Sequence, residues 1–280
     1  MREFCYLAPH TVSEAIAMRC AYGNNAAVLN GGTDIVIQMR EHLISPDYVI
    51  DIKHIDTLHG IRFSQEQGLT IGACATVAEV ADNAYVKAYY PFLSEAANTL
   101  GSKQVRNRAT LAGNIINASP LCDLGTPLYA AEAFLTLAGE AGERIVPIED
   151  FITFVRRTSL KPDEIVTSVH LPYHANQTGI FYKISRRREV DLSTVCGTVV
   201  KDGDVFRIAL GAVAPTPVRL KKTEQLLREG PLDRVMIEQA AALALTEIAP
   251  IDDVRASKQY RQDMAVRIVR NGLSALMEVG

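Results

Sequence analysis

The chain has 280 residues, 22% charged and 48% hydrophobic, a length that suits two or three compact units with an ordinary buried core. Its 29 basic and 32 acidic residues leave a formal charge of −3, which provides no basic field for nucleic acid. Cys5, Cys20, Cys74, Cys122 and Cys196 form no C-x-x-C pair, so neither a disulfide framework nor a zinc or iron–sulfur motif is expected.

The start, Met1 to Tyr6, carries no apolar segment of a secretory signal. The most apolar run, Ala240 to Leu245, is far short of the ~20 residues that cross a bilayer. A cytoplasmic protein without a membrane span is expected. Val12, Ile16 and Cys20 fall at four-residue steps behind Thr11, which predicts a capped helix. Ala26 to Leu29 reads as a strand ending at Gly31-Gly32, and Tyr48 to Ile52 as a second strand. Together they predict a small βαβ-type unit over residues 1–53.

From residue 54 the pattern changes. Gly68 to Ala73 predicts a strand. Thr76-Val77-Ala78-Glu79 has capping-box spacing and predicts a short helix. Pro91 to Leu100 predicts a helix with Leu93, Ala96, Ala97 and Leu100 on one face. Gly101 to Asp123 is rich in Asn, Ser and Gly and reads as a long functional loop. Phe134–Leu137 and Arg144–Ile148 flank a hairpin turn at Gly139 to Gly142. Glu164 to Leu171 predicts a strand. The polar, turn-rich stretch His174 to Gly179 marks a second boundary, so a middle unit spans 54–175 and a third 176–280. Ile180–Ser185, Ser193–Val200 and Val205–Val213 read as three strands. Helices follow at about 219–229, 234–248 and 256–277, the last with a stripe of Tyr260, Met264, Ile268 and Gly272.

Three places carry candidate chemistry. Gly31-Gly32-Thr33-Asp34 follows a strand and precedes a helix. Its glycines let backbone N–H groups approach an anion, and Thr33 adds a hydroxyl. The motif is neither a Rossmann nor a Walker signature, and a tight strand–helix turn is its plain alternative. Within Gly101 to Asp123, the residues Thr110, Gly113, Asn114, Asn117 and Asp123 offer donors for phosphate and acceptors for hydroxyls; a satisfied polar loop is the alternative. Lys183 is a cation inside a predicted strand, ahead of the Arg186-Arg187-Arg188 run, and suits stabilisation of developing negative charge. The six histidines form no metal pair, so no metal ligand is assigned on this chain.

Taken in order, Gly31-Gly32-Thr33-Asp34, Thr70-Ile71-Gly72-Ala73, Gln104-Val105-Arg106-Asn107, Ala112 to Pro120 with Asp123, Tyr182 to Arg187 and Leu210 to Pro217 resemble the FAD-binding subunit of molybdenum hydroxylases. That group includes xanthine dehydrogenase and the carbon monoxide dehydrogenase flavoprotein, with the nearest likeness to bacterial xanthine dehydrogenase FAD subunits. The resemblance implies an α+β fold: a two-part FAD-binding domain of the p-cresol methylhydroxylase type, then a smaller α/β C-terminal domain with a three-stranded antiparallel sheet. It implies that Leu29, Asn30, Gly31, Gly32, Thr33 and Asp34 form one half of an FAD cradle. Thr110, Gly113 and Asn114 would form the other half. Asn117 and Asp123 would meet the ribityl or diphosphate region, and Lys183 the pyrimidine edge of the isoalloxazine. Ala112 stands where many relatives have glycine, and Asn117 where threonine is frequent. No cysteine-bearing insertion of the benzoyl-CoA-type reductases is present.

The function so implied is electron transfer. Substrate would be oxidised at molybdopterin on a large partner subunit. Electrons would pass through [2Fe–2S] clusters on a small partner subunit to FAD here, and on to NAD+ or another acceptor. Two alternatives differ in class. A stand-alone FAD oxidase of the p-cresol methylhydroxylase type would turn over substrate by itself. A non-catalytic assembly protein that lost flavin would be indifferent to changes at Lys183 or Asp123.

Overall fold

A computed structural model describes residues 1–278. The N-terminal unit is a parallel three-stranded sheet of β1 (Cys5–Leu7), β2 (Ala26–Leu29) and β3 (Tyr48–Asp51), in the order β1-β3-β2. The helix Val12–Tyr22 links β1 to β2, and the short helix Ile35–Arg40 links β2 to β3. Parallel neighbours need such crossovers, which is why each strand is followed by a helix. Three-residue β1 is too short to show a period, and the sequence gives no sign of it. Thr11 caps the first helix by accepting from the Glu14 amide at 3.1 Å. The expected buried stripe is different, however. Ala15 is the residue fully buried, Val12 and Ile16 are half-buried, and Cys20 is exposed.

The middle unit is an antiparallel sheet. It comprises β4 (Ile61–Ser64), β5 (Gly68–Gly72), β6 (Phe134–Gly139) and β7 (Gly142–Pro147), with a small β8 (Ile152–Phe154) and β9 (Arg157–Thr158) hairpin beside it, and β10 (Ile165–Leu171). The large sheet runs β4-β5-β10-β6-β7. Leu69 and Ile71, Leu135 and Leu137, and Val169 and Leu171 alternate into one core, as strand periodicity requires. The helix Pro91–Thr99 adds Phe92, Leu93, Ala96 and Ala97 to it, while Leu100 is half-buried. Thr76 makes the expected capping box: its hydroxyl accepts from the Glu79 amide, and the Glu79 carboxylate accepts from the Thr76 amide at 2.6 Å.

The long loop expected over Gly101 to Asp123 is instead partly helical. Lys103–Arg106 is capped by Ser102, and Leu111–Ile116 by Thr110. Leu111, Ala112 and Ile115 are buried in the core of the middle unit. Two short helices in polar sequence escape a search for long periodic runs, because one turn of apolar residues carries almost no period.

The C-terminal sheet has four strands, not three: β11 (Gln177–Ile184), β12 (Val195–Asp202), β13 (Val205–Gly211) and β14 (Val218–Arg219), all antiparallel. The turn at Lys201 to Asp204 closes β12 on β13, with Gly203 at φ +58°. The helices Lys221–Leu226, Arg234–Leu243 and Lys258–Glu278 complete the unit. The stripe of the last helix follows expectation at Ile268 and Gly272 but not at its start. Tyr260 is exposed, whereas Arg261, Ala265, Ile268, Val269, Gly272, Leu273 and Leu276 are buried. Gly272 is required there, since a Cβ would come within 2.5 Å of Val199. Phe181, Cys196, Val200 and Ala209 of this sheet also pack into the core of the middle unit, so the two share one seam. Among the described residues no helix is long and apolar enough to cross a membrane.

Candidate FAD cleft

A cavity of about 570 Å³ opens where the end of β2 faces the Leu100–Asn117 segment and the β8–β9 hairpin. Asn30, Gly31, Gly32, Thr33 and Asp34 line one wall, and Thr110, Gly113, Asn114 and Asn117 line the other. Nine of the twelve candidate residues, separated by up to 87 positions, therefore meet in one cleft. Leu29, Asp123 and Lys183 lie outside its lining.

Close backbone approach brings the two walls together. A Cβ on Gly31 would overlap the carbonyl oxygen of Arg108, so glycine is what allows the first turn to rest on the chain leading to Thr110. Gly32 holds φ +80°, a conformation that side chains with a Cβ resist. Across the cleft, Thr110 caps the helix Leu111–Ile116 by accepting from the Gly113 amide at 3.1 Å. A Cβ on Gly113 would sit 2.8 Å from that hydroxyl. Ala112 lies in the first turn of this helix with ordinary helical backbone and its side chain in the core, so the alanine costs the turn no strain.

The polar inventory of the cleft is unbalanced in one direction. Among the described residues, the amides of Gly31, Gly32, Thr33 and Asp34 donate no hydrogen bond within the chain. Asn30 donates to the Ala73 carbonyl at 2.7 Å, but its side-chain oxygen is buried without a partner. Buried polar atoms are rarely left so. Free donors along one turn, with an orphaned acceptor behind them, fit a ligand that carries both anionic oxygens and hydroxyl or N–H groups. FAD has both, and the residues present suit it.

Two further residues that support the cleft carry no local signal in the sequence. Arg156, at φ +58° in the β8–β9 turn, is the one cation in the lining. Its guanidinium donates to the Asn117 side-chain oxygen and lies 3.5 Å from the Asp34 carboxylate, so it bridges both walls. Nothing local marks it, because Asp34 lies 122 residues away. Lys53 is the second. Its ammonium donates to the Asn30 carbonyl at 3.2 Å and pairs with Asp51 at 2.7 Å. Burial alone would raise the Asp51 carboxyl, but hydrogen bonds from Lys53 and Tyr6 outweigh it and hold it below the usual carboxylate range.

Asp123 and Lys183 form a closed pair at the seam. The Lys183 ammonium lies 2.7 Å from the Asp123 carboxylate, with both side chains under a tenth exposed. It also donates to the Thr99 carbonyl at 3.0 Å, and the Ser193 hydroxyl donates to the other Asp123 oxygen. Burial pushes the Asp123 carboxyl up, and the Lys183 charge opposes it. Cys122 beside it donates to the Asn114 side-chain oxygen at 2.8 Å, and burial pushes its thiol up to about 12. A thiol held so high is a packing group and not a nucleophile.

Known proteins match along the whole chain. The family described as the FAD binding domain in molybdopterin dehydrogenase covers residues 2–174, and the CO dehydrogenase flavoprotein C-terminal domain covers 180–276. The chain is 30% identical over 276 residues to the xanthine dehydrogenase FAD-binding subunit of Escherichia coli O157:H7, covering 95% of this chain and 94% of that protein. It is 33% identical over 280 residues to the carbon monoxide dehydrogenase medium chain of Hydrogenophaga pseudoflava, covering 98% and 96%. A solved structure of carbon monoxide dehydrogenase from Hydrogenophaga pseudoflava superposes with a TM-score of 0.93 at 32% identity, covering 98% of this chain and 97% of that one. The two-domain fold with its antiparallel C-terminal sheet is thus that of these flavoproteins, and the chain belongs to the family of FAD-binding domains of molybdopterin dehydrogenases.

Proposed function

We propose that this chain is the FAD-carrying electron-transfer subunit of a molybdenum hydroxylase, a cytoplasmic complex with a large molybdopterin subunit and a small [2Fe–2S] subunit. The single observation that carries the binding site is the set of unpartnered amides at Gly31 to Asp34 facing Arg156 across the cleft. These amides, with the Thr33 hydroxyl and the Arg156 guanidinium, would hold the diphosphate. Thr110, Gly113 and Asn114 would close the second half of the cradle, and Asn117 would meet the ribityl end. Leu29 would act from behind the turn, where its side chain packs 3.3 Å from the Gly32 Cβ position. Asn30 would accept from the ligand through its orphaned oxygen. In this reading residues 1–53 and 54–175 each supply one wall, and 176–280 form the lid-side domain that brings Lys183.

FAD when bound supplies the redox chemistry. The protein supplies binding, orientation and charge. Lys183 cannot swing freely, since Asp123 and the Thr99 carbonyl hold it. A cation fixed in a water-poor seam favours negative charge placed near it. Asp123 would thus serve chiefly as the residue that fixes Lys183.

The substrate proposed for the complex is a purine of the xanthine type, with NAD+ or another acceptor as the electron sink. Its support is the likeness to the E. coli xanthine dehydrogenase FAD-binding subunit. Relatives named for carbon monoxide and nicotinate dehydrogenases are similar at 33% and 29% identity, so the deciding assay compares these substrates. The purified chain is to be titrated with FAD and its visible spectrum recorded. Stoichiometric flavin is expected, and absence of bound flavin defeats the binding claim. Co-purified complex is then assayed with xanthine, nicotinate and carbon monoxide, each with NAD+ and with an artificial acceptor.

A further inference from the structure

A second cavity, of about 320 Å³, opens on the C-terminal unit. Arg186 and Arg255 line it with four hydroxyl-bearing residues, Ser185, Thr194, Ser257 and Tyr260, and no Asp or Glu is in its lining. None of these residues lines the larger cleft.

The charge around it does not balance. Among the described residues Arg186 makes no ion pair, and its one hydrogen bond is a 3.5 Å contact to the Val254 carbonyl. Arg255 has one carboxylate near it, Asp253 at 3.7 Å. That carboxylate is held closer by Arg261, at 2.7 Å. Arg255 and Arg261 therefore share one carboxylate, and Arg186 has none. The other acids nearby are engaged: Asp191 accepts from the Arg187 amide, and Asp252 accepts from the Lys258 amide.

The walls are fixed in place. Arg261, 2% exposed, donates to the carbonyls of Thr194 and Ala212 and leaves its Nε without a partner. Thr194 is 2% exposed, lines the cavity, and its hydroxyl makes no hydrogen bond within the chain among the described residues. Ser257 caps the 21-residue helix Lys258–Glu278, accepting from the Tyr260 amide at 3.2 Å. The positive end of a long helix thus meets two guanidiniums and the Thr194 side chain.

We propose that this cavity binds a phosphoryl group. Guanidinium forks and hydroxyls match the tetrahedral oxygens of phosphate, and three separate elements supply them. The Tyr260 ring, 44% exposed, offers an apolar face to whatever the phosphate carries. The position is informative. Ser185 is two residues from Lys183, and Thr194 follows Ser193, which donates to Asp123. A phosphorylated ligand here sits next to the residues assigned above to the flavin end; only that last link rests on the proposed FAD site.

The test uses the full chain loaded with FAD. Pyrophosphate, inorganic phosphate and NADH are titrated by calorimetry while flavin absorbance is followed. Saturable pyrophosphate binding that weakens with salt is expected, with a loss of about tenfold or more in R186Q and in R255Q. An unchanged flavin spectrum in these variants separates this site from the FAD cleft. R186Q carries the test if R255Q fails to fold, because the Arg186 side chain is exposed. Competition between NADH and pyrophosphate identifies a dinucleotide as the source, and pyrophosphate binding without competition identifies a free phosphate or another ester. Absence of saturable binding by all three, or binding unchanged in R186Q and R255Q, overturns the proposal.

Discussion

The glycine-turn cleft and the Asp123–Lys183 seam are both polar regions packed against the same core, yet they satisfy their groups in opposite ways. In the cleft, amides at Gly31 to Asp34 and the Asn30 side-chain oxygen have no protein partner. At the seam, the carboxylate and ammonium meet each other, with Ser193 and Thr99 completing the set. A region that keeps its hydrogen-bonding capacity open is built for a ligand. A region that closes it internally is built to hold a charge in one place. Changes at the seam should therefore act first on stability, and changes in the cleft first on affinity.

The largest expected effect tests the seam. Asp123→Ala leaves a buried ammonium uncompensated, which costs about 3–5 kcal/mol; urea unfolding of the chain measures it. The double change D123A with K183M should recover much of that loss, because replacing both members of a buried pair by apolar groups is often nearly neutral. A double variant as unstable as D123A alone would mean that the pair does not act as a unit.

Gly31→Ala tests the cleft where its walls touch. The added Cβ meets the Arg108 carbonyl, and overpacking of this kind costs about 1–3 kcal/mol. FAD affinity should fall further than stability, so equilibrium dialysis and thermal unfolding are to be read together. Equal losses in both would mean that the turn serves only packing.

Glu164 gives a pH-dependent comparison. The Arg144 hydrogen bonds hold its carboxyl below the ordinary 4.5, against an opposing effect of burial. A carboxyl lowered in the folded state contributes stability that is present above the unfolded value and lost as pH falls through the folded one. The melting temperature of the native chain should therefore fall more steeply below about pH 4.5 than that of E164Q. Near neutral pH, E164Q should cost about 1–3 kcal/mol. Parallel melting curves across this range would dismiss the pair as a source of acid sensitivity.

The smallest stability effect is expected at Arg156. Its side chain is half exposed, and R156Q should change stability by less than about 0.5 kcal/mol. If the guanidinium meets the diphosphate, FAD binding weakens about tenfold or more. An affinity equal to the native one would remove Arg156 from the cradle and leave the diphosphate to the backbone amides and the Thr33 hydroxyl.

Legibility in the sequence differed in the same two regions. Gly31-Gly32-Thr33-Asp34 and Thr110 to Asn117 could be picked out because glycine, capping threonine and asparagine have local conformational reasons to stand where they do. The alternating strands β5, β6 and β10 were legible by their period. The helices Lys103–Arg106 and Leu111–Ile116 were not, since a helix of one or two turns has too few apolar residues to repeat. The stripe of Lys258–Glu278 is legible at Ile268 and Gly272 but not at its start, where exposed Tyr260 gives way to a buried arginine, Arg261, that breaks the apolar pattern. Its burial is tolerable only because Asp253 and two carbonyls meet it.

By itself the sequence determined the local elements: which turns need glycine, which helices are capped, which strands alternate, and, through ordered motifs, the family. It could place no residue of one wall against a residue of the other. That Arg156 bridges Asp34 and Asn117, that Lys53 props the Asn30 carbonyl, and that Asp123 fixes Lys183 were decided by tertiary structure alone. These contacts join positions 23 to 122 residues apart. Propensity and period act over a few neighbouring residues, whereas a buried charge is governed by whatever the completed packing brings within a few ångströms of it.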